Sequence, residues 1–300
     1  MTANSRRKLR PDDRRRGIAL MVCAITLFGF MDATVKYLAR DYAVPQIVWA
    51  RFTFHLIIFI AVFAPSGSVV GLFRSTRPGL QLLRSIFLLS ATLMFFTALS
   101  YLPLAEAISI GFVSPLVVTA LAIPLLKERV GIRRWSAILV GFAGVLIVIR
   151  PGSGIFHWAA VLPLGMAVCY AFYQILTRIA SRTEDARTSQ LWAPSIGVLV
   201  LSAIMPWFWT APTLAGWMLM AFAGLCGGVG HFLLIKAYEV APASVLSPFV
   251  YTQLIWMIAL GYLLFGDLPA AATLVGGALV IGSGLYIFRR EAALARTPRR

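Results

Sequence analysis

Four ionisable side chains stand inside long apolar stretches of this 300-residue chain: Asp32, Arg51, Glu106 and His231. A charge in the middle of a membrane helix costs about 2.5 to 3.5 kcal/mol on insertion scales, so such groups face a cavity or a partner. Asp32 and Lys36 are four apart and share a helical face, and Arg51 and His55 stand in the same relation. Acids and bases set apart in this way can hold the two ends of a zwitterionic or otherwise polar solute, with Tyr170 and Gln174 adding hydrogen bonds from a later helix. The competing structural reading makes Asp32 and Arg51 an ion pair across adjacent helices and lets Lys36 and Glu106 reach for the interface. His231 either titrates near neutral pH or is a neutral, hydrogen-bonded core histidine. Lys236 and Glu239, close to a helix end, read as a solvated pair.

The elements that must position these groups are membrane helices. Sixty per cent of the residues are hydrophobic and 13% charged, against about 25% charged in ordinary soluble chains, and the mean hydropathy is +0.84. Apolar runs long enough to cross a bilayer are expected at 17–37, 46–64, 79–100, 104–126, 133–150, 158–180, 189–209, 213–237, 243–265 and 270–288. No water reaches a free backbone group there, and the runs lack strand-like alternation, so the fold class is an all-α integral membrane protein of ten transmembrane helices.

Bases fix the orientation. The first tail, residues 1–16, carries Arg6, Arg7, Lys8, Arg10, Arg14, Arg15 and Arg16, and the last, residues 290–300, adds Arg290, Arg296, Arg299 and Arg300 beside Arg289. Lys and Arg are retained inside, so both termini belong in the cytoplasm, as do the loops with Arg74 and Arg77, with Lys127 to Arg134, and with Arg182 and Arg187. The loops at 101–103, 210–212 and 266–269 hold no base and fall outside. The net charge of +16 is thus used for topology and for anionic headgroups, not for nucleic acid.

The chain is also duplicated. At an offset of 139, Leu80, Ala98, Pro103, Ala120, Leu121, Leu125 and Leu146 meet Leu219, Ala237, Pro242, Ala259, Leu260, Leu264 and Leu285, and Glu128 meets Asp267. At an offset of 142, Leu20, Phe30, Lys36 and Arg40 meet Leu162, Phe172, Arg178 and Arg182. Two repeats result, 17–150 and 156–289. Five helices per copy is an odd number, which inverts the second copy relative to the first, an arrangement used for alternating access. Glu128 and Asp267 lie in loops, where a carboxylate caps a helix or tethers a neighbouring loop.

Pro115 and Pro248 fall inside the fourth and ninth spans, each after a serine, Ser114 or Ser247, whose hydroxyl can satisfy a backbone group freed by the ring. They are candidate hinges. Gly141, Gly144, Gly276, Gly277, Gly282 and Gly284 read as close-packing surfaces, Trp207, Phe208 and Trp209 as an interfacial belt, and Cys23, Cys169 and Cys226 as packing residues with no metal-ligand spacing. No zinc helix, nucleophile elbow or P-loop is present, so an enzyme is not expected; no cofactor, metal or catalytic residue is assigned.

Phe28-Gly29-Phe30 with Lys36, Pro45, Arg51-Phe52, Pro103-Leu104-Ala105-Glu106, Ser114-Pro115, Lys127-Glu128-Arg129, Gly141-Phe142-Ala143-Gly144-Val145, Ala241-Pro242-Ala243-Ser244 and Ser247-Pro248 together resemble the EamA branch of the drug/metabolite transporter superfamily. The resemblance covers about residues 17–288 and implies ten helices, cytoplasmic termini and a central cavity in an inner-membrane protein. A secondary carrier is expected, for a small polar or zwitterionic organic metabolite that is amino-acid-like, an amino-acid-derived metallophore or a cofactor; the membrane location of Asp32, Glu106 and His231 makes them the candidates for proton coupling. Export is the favoured direction, import of a cofactor such as S-adenosylmethionine or riboflavin the alternative, and a channel or receptor scaffold the non-carrier reading. Association of two copies is left open.

Overall fold

The computed structural model describes residues 11–63, 71, 73–126, 132–150, 157–181, 183–241, 246 and 249–296. Among them the regular elements are helical: α1 (Pro11–Leu38), α2 (Val44–Phe63), α3 (Pro78–Tyr101), α4 (Leu104–Gly111), α5 (Ser114–Leu126), α6 (Ile132–Ile149), α7 (Val161–Ala180), α8 (Ala186–Phe208), α9 (Leu214–Val240), α10 (Gln253–Phe265) and α11 (Ala271–Arg296), with a short 3-10 turn at Trp158–Ala160. Six stretches are long and apolar enough to cross a membrane: Asp13–Leu38, Val44–Val62, Pro78–Tyr101, Trp158–Ala180, Arg187–Phe208 and Leu214–Val240. Shorter apolar helices occupy Leu104–Val118, Trp135–Ile149, Gln253–Phe265 and Ala271–Ile287. Large apolar side chains such as Ile57, Leu139, Leu199 and Leu263 stay exposed on the outside of the bundle, the pattern of a multi-pass membrane protein.

Local chemistry sets the helix ends. Pro78 opens α3, whose missing N–H costs nothing in a first turn, and Leu102 leaves the helix in an extended conformation ahead of Pro103. Asp185 accepts from the Arg187 N–H at the start of α8, and Thr213 from the Gly216 N–H at the start of α9. Gly266, at φ 72°, ends α10 in the left-handed region, so that the amides of Gly266 and Asp267 return to the carbonyls of Tyr262 and Gly261.

The fourth span, expected as one helix over 104–126, is broken into α4 and α5 by a turn at Phe112-Val113. The second copy breaks at the matching place, Tyr251-Thr252. The hydrogen bonds match at the 139 offset: Val113 N–H to Ile110 and Leu116 N–H to Val113 in the first copy, Thr252 N–H to Phe249 and Ile255 N–H to Thr252 in the second. Pro115 follows the turn, one residue into α5, and its counterpart is Leu254, so proline is not what the two turns share. Nor does Ser114 serve the freed backbone: its Oγ is buried without a hydrogen-bond partner. Ser247 and Pro248 lie outside the described residues.

Packing follows the duplication. α1 lies along α9 and α10, α3 along α7 and α8, and α2 along α8 and α9, while α6 and α11, the last helices of the two copies, face each other. At that seam a Cβ on Gly144 would stand 2.7 Å from the Gly276 carbonyl, and one on Gly276 would collide with the Gly144 carbonyl, so both positions need glycine. Gly141 abuts Ser283, Gly277 abuts Ser109 and Gly284 abuts Tyr251, but Gly282 faces open space and is not a packing surface. Of the cysteines, Cys226 is buried and Cys169 half-buried, whereas Cys23 is exposed among the outward apolar groups. Trp207, Phe208 and Trp209 are exposed at the end of α8, where Trp209 also meets Trp49 and Trp217.

Candidate functional site

The polar groups of α2 sit where they do because α9 presents glycines to them. A Cβ on Gly224 would overlap Phe54, one on Gly227 would stand 3.1 Å from Arg51 Nε, and one on Gly228 would stand 3.3 Å from His55 Cδ2. The two backbones can therefore approach, and Arg51 and His55 are 5% and 4% exposed. Beyond Gly228, His231 lays its ring on His55, centroids 5.8 Å apart and planes 16° apart, and meets Phe28 at 4.9 Å. His231 makes no hydrogen bond among the described residues, so the expected hydrogen-bonded core histidine is replaced by a stacked one. His55 Nδ1 has no hydrogen-bond partner.

The histidine pair forms one wall of a cavity of about 450 Å³ that also takes in Phe59, Gln190, Phe232 and Ile235. Charged residues lie around it: Asp185 with Arg187, joined at 3.0 Å, and Lys236 with Glu239, joined at 2.8 Å. Lys236 and Glu239 are the solvated pair expected from the sequence. Phe59, Phe232 and Ile235 give the cavity apolar surface, and His55, His231, Gln190 and the two charged pairs give it hydrogen-bonding groups, a make-up that suits a small polar molecule.

Asp32, 2% exposed, does not make the direct ion pair with Arg51 expected of them. Its carboxylate accepts a hydrogen bond from Gln253 Nε2 at 3.0 Å, while Arg51 directs Nε at Met31 Sδ, 3.2 Å away, and lays its guanidinium over the rings of Phe52 and Phe96 at 5.0 and 5.5 Å. Aromatic faces thus do part of the work of a counter-ion. Lys36 turns away from Asp32: its ammonium donates to the carbonyls of Leu102 at 2.7 Å and Leu99 at 3.3 Å, lies 3.8 Å from Asp267 and stands over Phe265. A base at the last turn of α3 satisfies carbonyls that have no partner within the helix. Asp267 is the tether its loop position led us to expect.

Glu106, in the first turn of α4, lines a smaller cavity of about 230 Å³ with Tyr101, Pro103, Arg150 and His157, apart from the histidine pair. Tyr170 stacks on Tyr173 within α7, with centroids 5.6 Å apart. Gln174 is half-buried and makes no hydrogen bond among the described residues. Of the eight candidate residues, then, Arg51, His55 and His231 come together, Asp32 adjoins them through Met31, and Lys36, Glu106, Tyr170 and Gln174 stand elsewhere.

One buried base escaped the sequence reading. Arg84, 2% exposed in α3, donates to Thr177 Oγ1 and to the Ser189 carbonyl and lies over the Tyr173 ring, beside Gln81, which donates to Ser189 Oγ. Its position inside the span expected at 79–100 was the signal, the same one that exposed Arg51. Glu184, in the connection between α7 and α8, accepts from the amides of Thr76 and Arg77 and the hydroxyl of Thr76. Burial alone would raise its carboxyl, but hydrogen bonds from Thr76, Ser75 and Gln81 outweigh this and hold it below the usual carboxylate range.

Several known proteins resemble the whole chain. It is 29% identical over 289 residues to a riboflavin transporter of Rhizobium johnstonii, covering 94% of each chain. It is 25% identical over 275 residues to an S-adenosylmethionine uptake transporter of Rickettsia bellii, covering 92% of this chain and 94% of that one. A pseudopaline exporter of Pseudomonas aeruginosa is 26% identical over 280 residues, covering 92% and 97%. A crystal structure of a protein superposes with a TM-score of 0.61 over 94% of this chain and 99% of its own, at 18% identity, a likeness of fold alone. Matched once over residues 15–150 and again over 157–289, the chain belongs to the EamA-like transporter family.

Proposed function

We propose that this transporter is a secondary carrier that takes a small organic cofactor with a flat nitrogen heterocycle into the cell across a bacterial inner membrane. Ten crossings, two inverted repeats and cytoplasmic termini complete the reading, with the shorter apolar helices and the α4–α5 and 253–265 segments supplying the crossings beyond the six long ones. The observation that carries the solute class is the cavity beside His55 and His231. Its stacked imidazoles and Phe232 offer faces to a flat ring, and Gln190 offers both a donor and an acceptor. Riboflavin and S-adenosylmethionine, the solutes named for two of the relatives, both contain such a ring. Uptake is preferred because the Rickettsia relative is named for it.

Export remains the second reading, favoured by the pseudopaline exporter relative. Protons are proposed to drive the cycle through Asp32, Glu106 or His231. Purified protein in proteoliposomes preloaded with riboflavin or S-adenosylmethionine is expected to take up labelled solute by saturable counterflow. Flux that rises linearly with concentration would make the protein a channel, and counterflow with neither solute would remove the heterocycle class. Comparing solute inside and outside a deletion strain and its parent then fixes the direction.

A further inference from the structure

The hydrogen bond between Asp32 and Gln253 has a counterpart written into the other half of the chain. Asp32 on α1 corresponds to Gln174 on α7 at the 142 offset, and Gln253, which opens α10, corresponds to Ser114, which opens α5, at the 139 offset. The helices carrying the two pairs pack alike, α1 on α10 and α7 on α5. Each pair combines one long side chain ending in an amide with one short side chain ending in oxygen, with the roles exchanged. The chemistry of the second pair is therefore complementary: Gln174 Nε2 can donate to Ser114 Oγ as Gln253 Nε2 donates to Asp32 Oδ2.

In this structure only one of the two bonds is made. Gln253 reaches Asp32 at 3.0 Å, whereas the Ser114 hydroxyl, 5% exposed, is unpartnered and Gln174 makes no hydrogen bond among the described residues. A second asymmetry runs in parallel. The face of α9 that lines the large cavity through Gly228, His231 and Ile235 corresponds on α3 to Leu89, Thr92 and Phe96, which are buried, at 6%, 8% and 2% exposed. The space between α2 and α9 is open with the first bond made, and the matching face of α3 is buried with the second bond unmade.

We infer that Asp32–Gln253 and Gln174–Ser114 are the two positions of one latch, closed alternately as the halves exchange conformations. The made bond holds the cavity beside His231 open. Its loss, together with formation of the second bond, closes that cavity and opens the matching face of α3. A buried hydroxyl left without a partner is a cost in the present conformer that the other conformer removes. When Asp32 is ionised the bond from Gln253 is to a charged group and the bond from Gln174 to a neutral one, so ionisation biases the latch towards the state seen here.

This inference rests on the carrier reading, and its test keeps the two apart. The full-length chain, with Cys23, Cys169 and Cys226 replaced by Ser, Ser and Ala, carries Ile235→Cys as a reporter in the cavity. A membrane-impermeant maleimide is applied in vesicles from the face bearing Asp185 and Glu239. Gln253→Leu and, separately, Ser114→Asp are expected to slow labelling, the ratio of open to closed state falling about tenfold for loss of a bond to a charged group. Asp32→Gln combined with Gln253→Asp, which rebuilds the bond in reverse, restores the rate and guards against a simple folding defect. Labelling unchanged in Gln253→Leu, or faster in Ser114→Asp, overturns the latch while leaving counterflow by the unaltered chain intact. Absence of counterflow in the unaltered chain would remove the carrier reading and the latch with it.

Discussion

Phe112 and Tyr251 meet edge to face, ring centroids 5.1 Å apart and planes at 80°. They are the same position of the two copies, 139 residues apart. Each belongs to the turn that interrupts its copy, so the two interruptions touch.

This contact should be among the costliest to remove. Phe112→Ala is expected to lower the free energy of unfolding by about 3 to 5 kcal/mol, the usual range for a buried aromatic. Tyr251→Ala should fall near it, and because the two rings touch, the double variant should lose less than the two single losses combined. Reversible unfolding in mixed micelles measures all three; full additivity would mean that the rings do not support each other.

Lys36 predicts a different ordering. Lys36→Met strips the donor from two carbonyls at the end of α3 and is expected to cost about 1.5 to 3 kcal/mol, the value of hydrogen bonds to a charged group. Asp267→Asn, whose partly exposed pair with Lys36 is 3.8 Å long, should cost about 0 to 1 kcal/mol. If the Asp267 variant proves the more damaging, the ammonium serves the carboxylate and not the carbonyls.

Glu184 ties residues 76 and 77 to the connection before α8 only while it is ionised. Its folded carboxyl titrates below the ordinary value of 4.5, so its contribution is fully present above that value and is lost as the pH falls through the lower, folded one. Protection of the Thr76 and Arg77 amides against exchange, taken relative to their intrinsic rates, should fall in acid below about pH 4.5. In Glu184→Gln, exchange should be faster at neutral pH and should lose this additional acid step.

Proton coupling is checked by uptake measured across pH. Asp32→Asn and His231→Gln are each expected to flatten the pH dependence seen with the unaltered protein. A profile that keeps its shape in both would exclude these two as the coupling groups and direct attention to Glu106.

The membrane helices were legible because apolar length is a property of composition, and the duplication because its spacing survives while identities drift. The break at Phe112-Val113 was not: both sides of it are equally apolar, and the nearby proline drew attention to the wrong residue. Arg51, His55 and His231 could be picked out as charges and imidazoles inside apolar runs, and the same criterion would have found Arg84. Their company could not be foreseen. Whether Asp32 meets Arg51 or Gln253 depends on helix rotation and on the glycines of α9, which set how closely α2 can approach. Lys36 was readable as a base near a helix end, but its carbonyl partners belong to a helix some sixty residues away, and no local pattern records that.

The matched interruptions also say which kinds of change this chain can tolerate. From residue 80 to 150 and from 219 to 289 the copies differ at most positions, yet the 139 spacing is kept from end to end. Deleting one residue between Pro103 and Phe112 would rotate the later side chains of α4 by about 100°, carrying the Phe112 ring away from Tyr251. Substitutions in either copy are absorbed locally, whereas a change of length inside α4 would undo that pairing; the three residues by which the 142 and 139 offsets differ fall between residues 40 and 80, ahead of both interruptions.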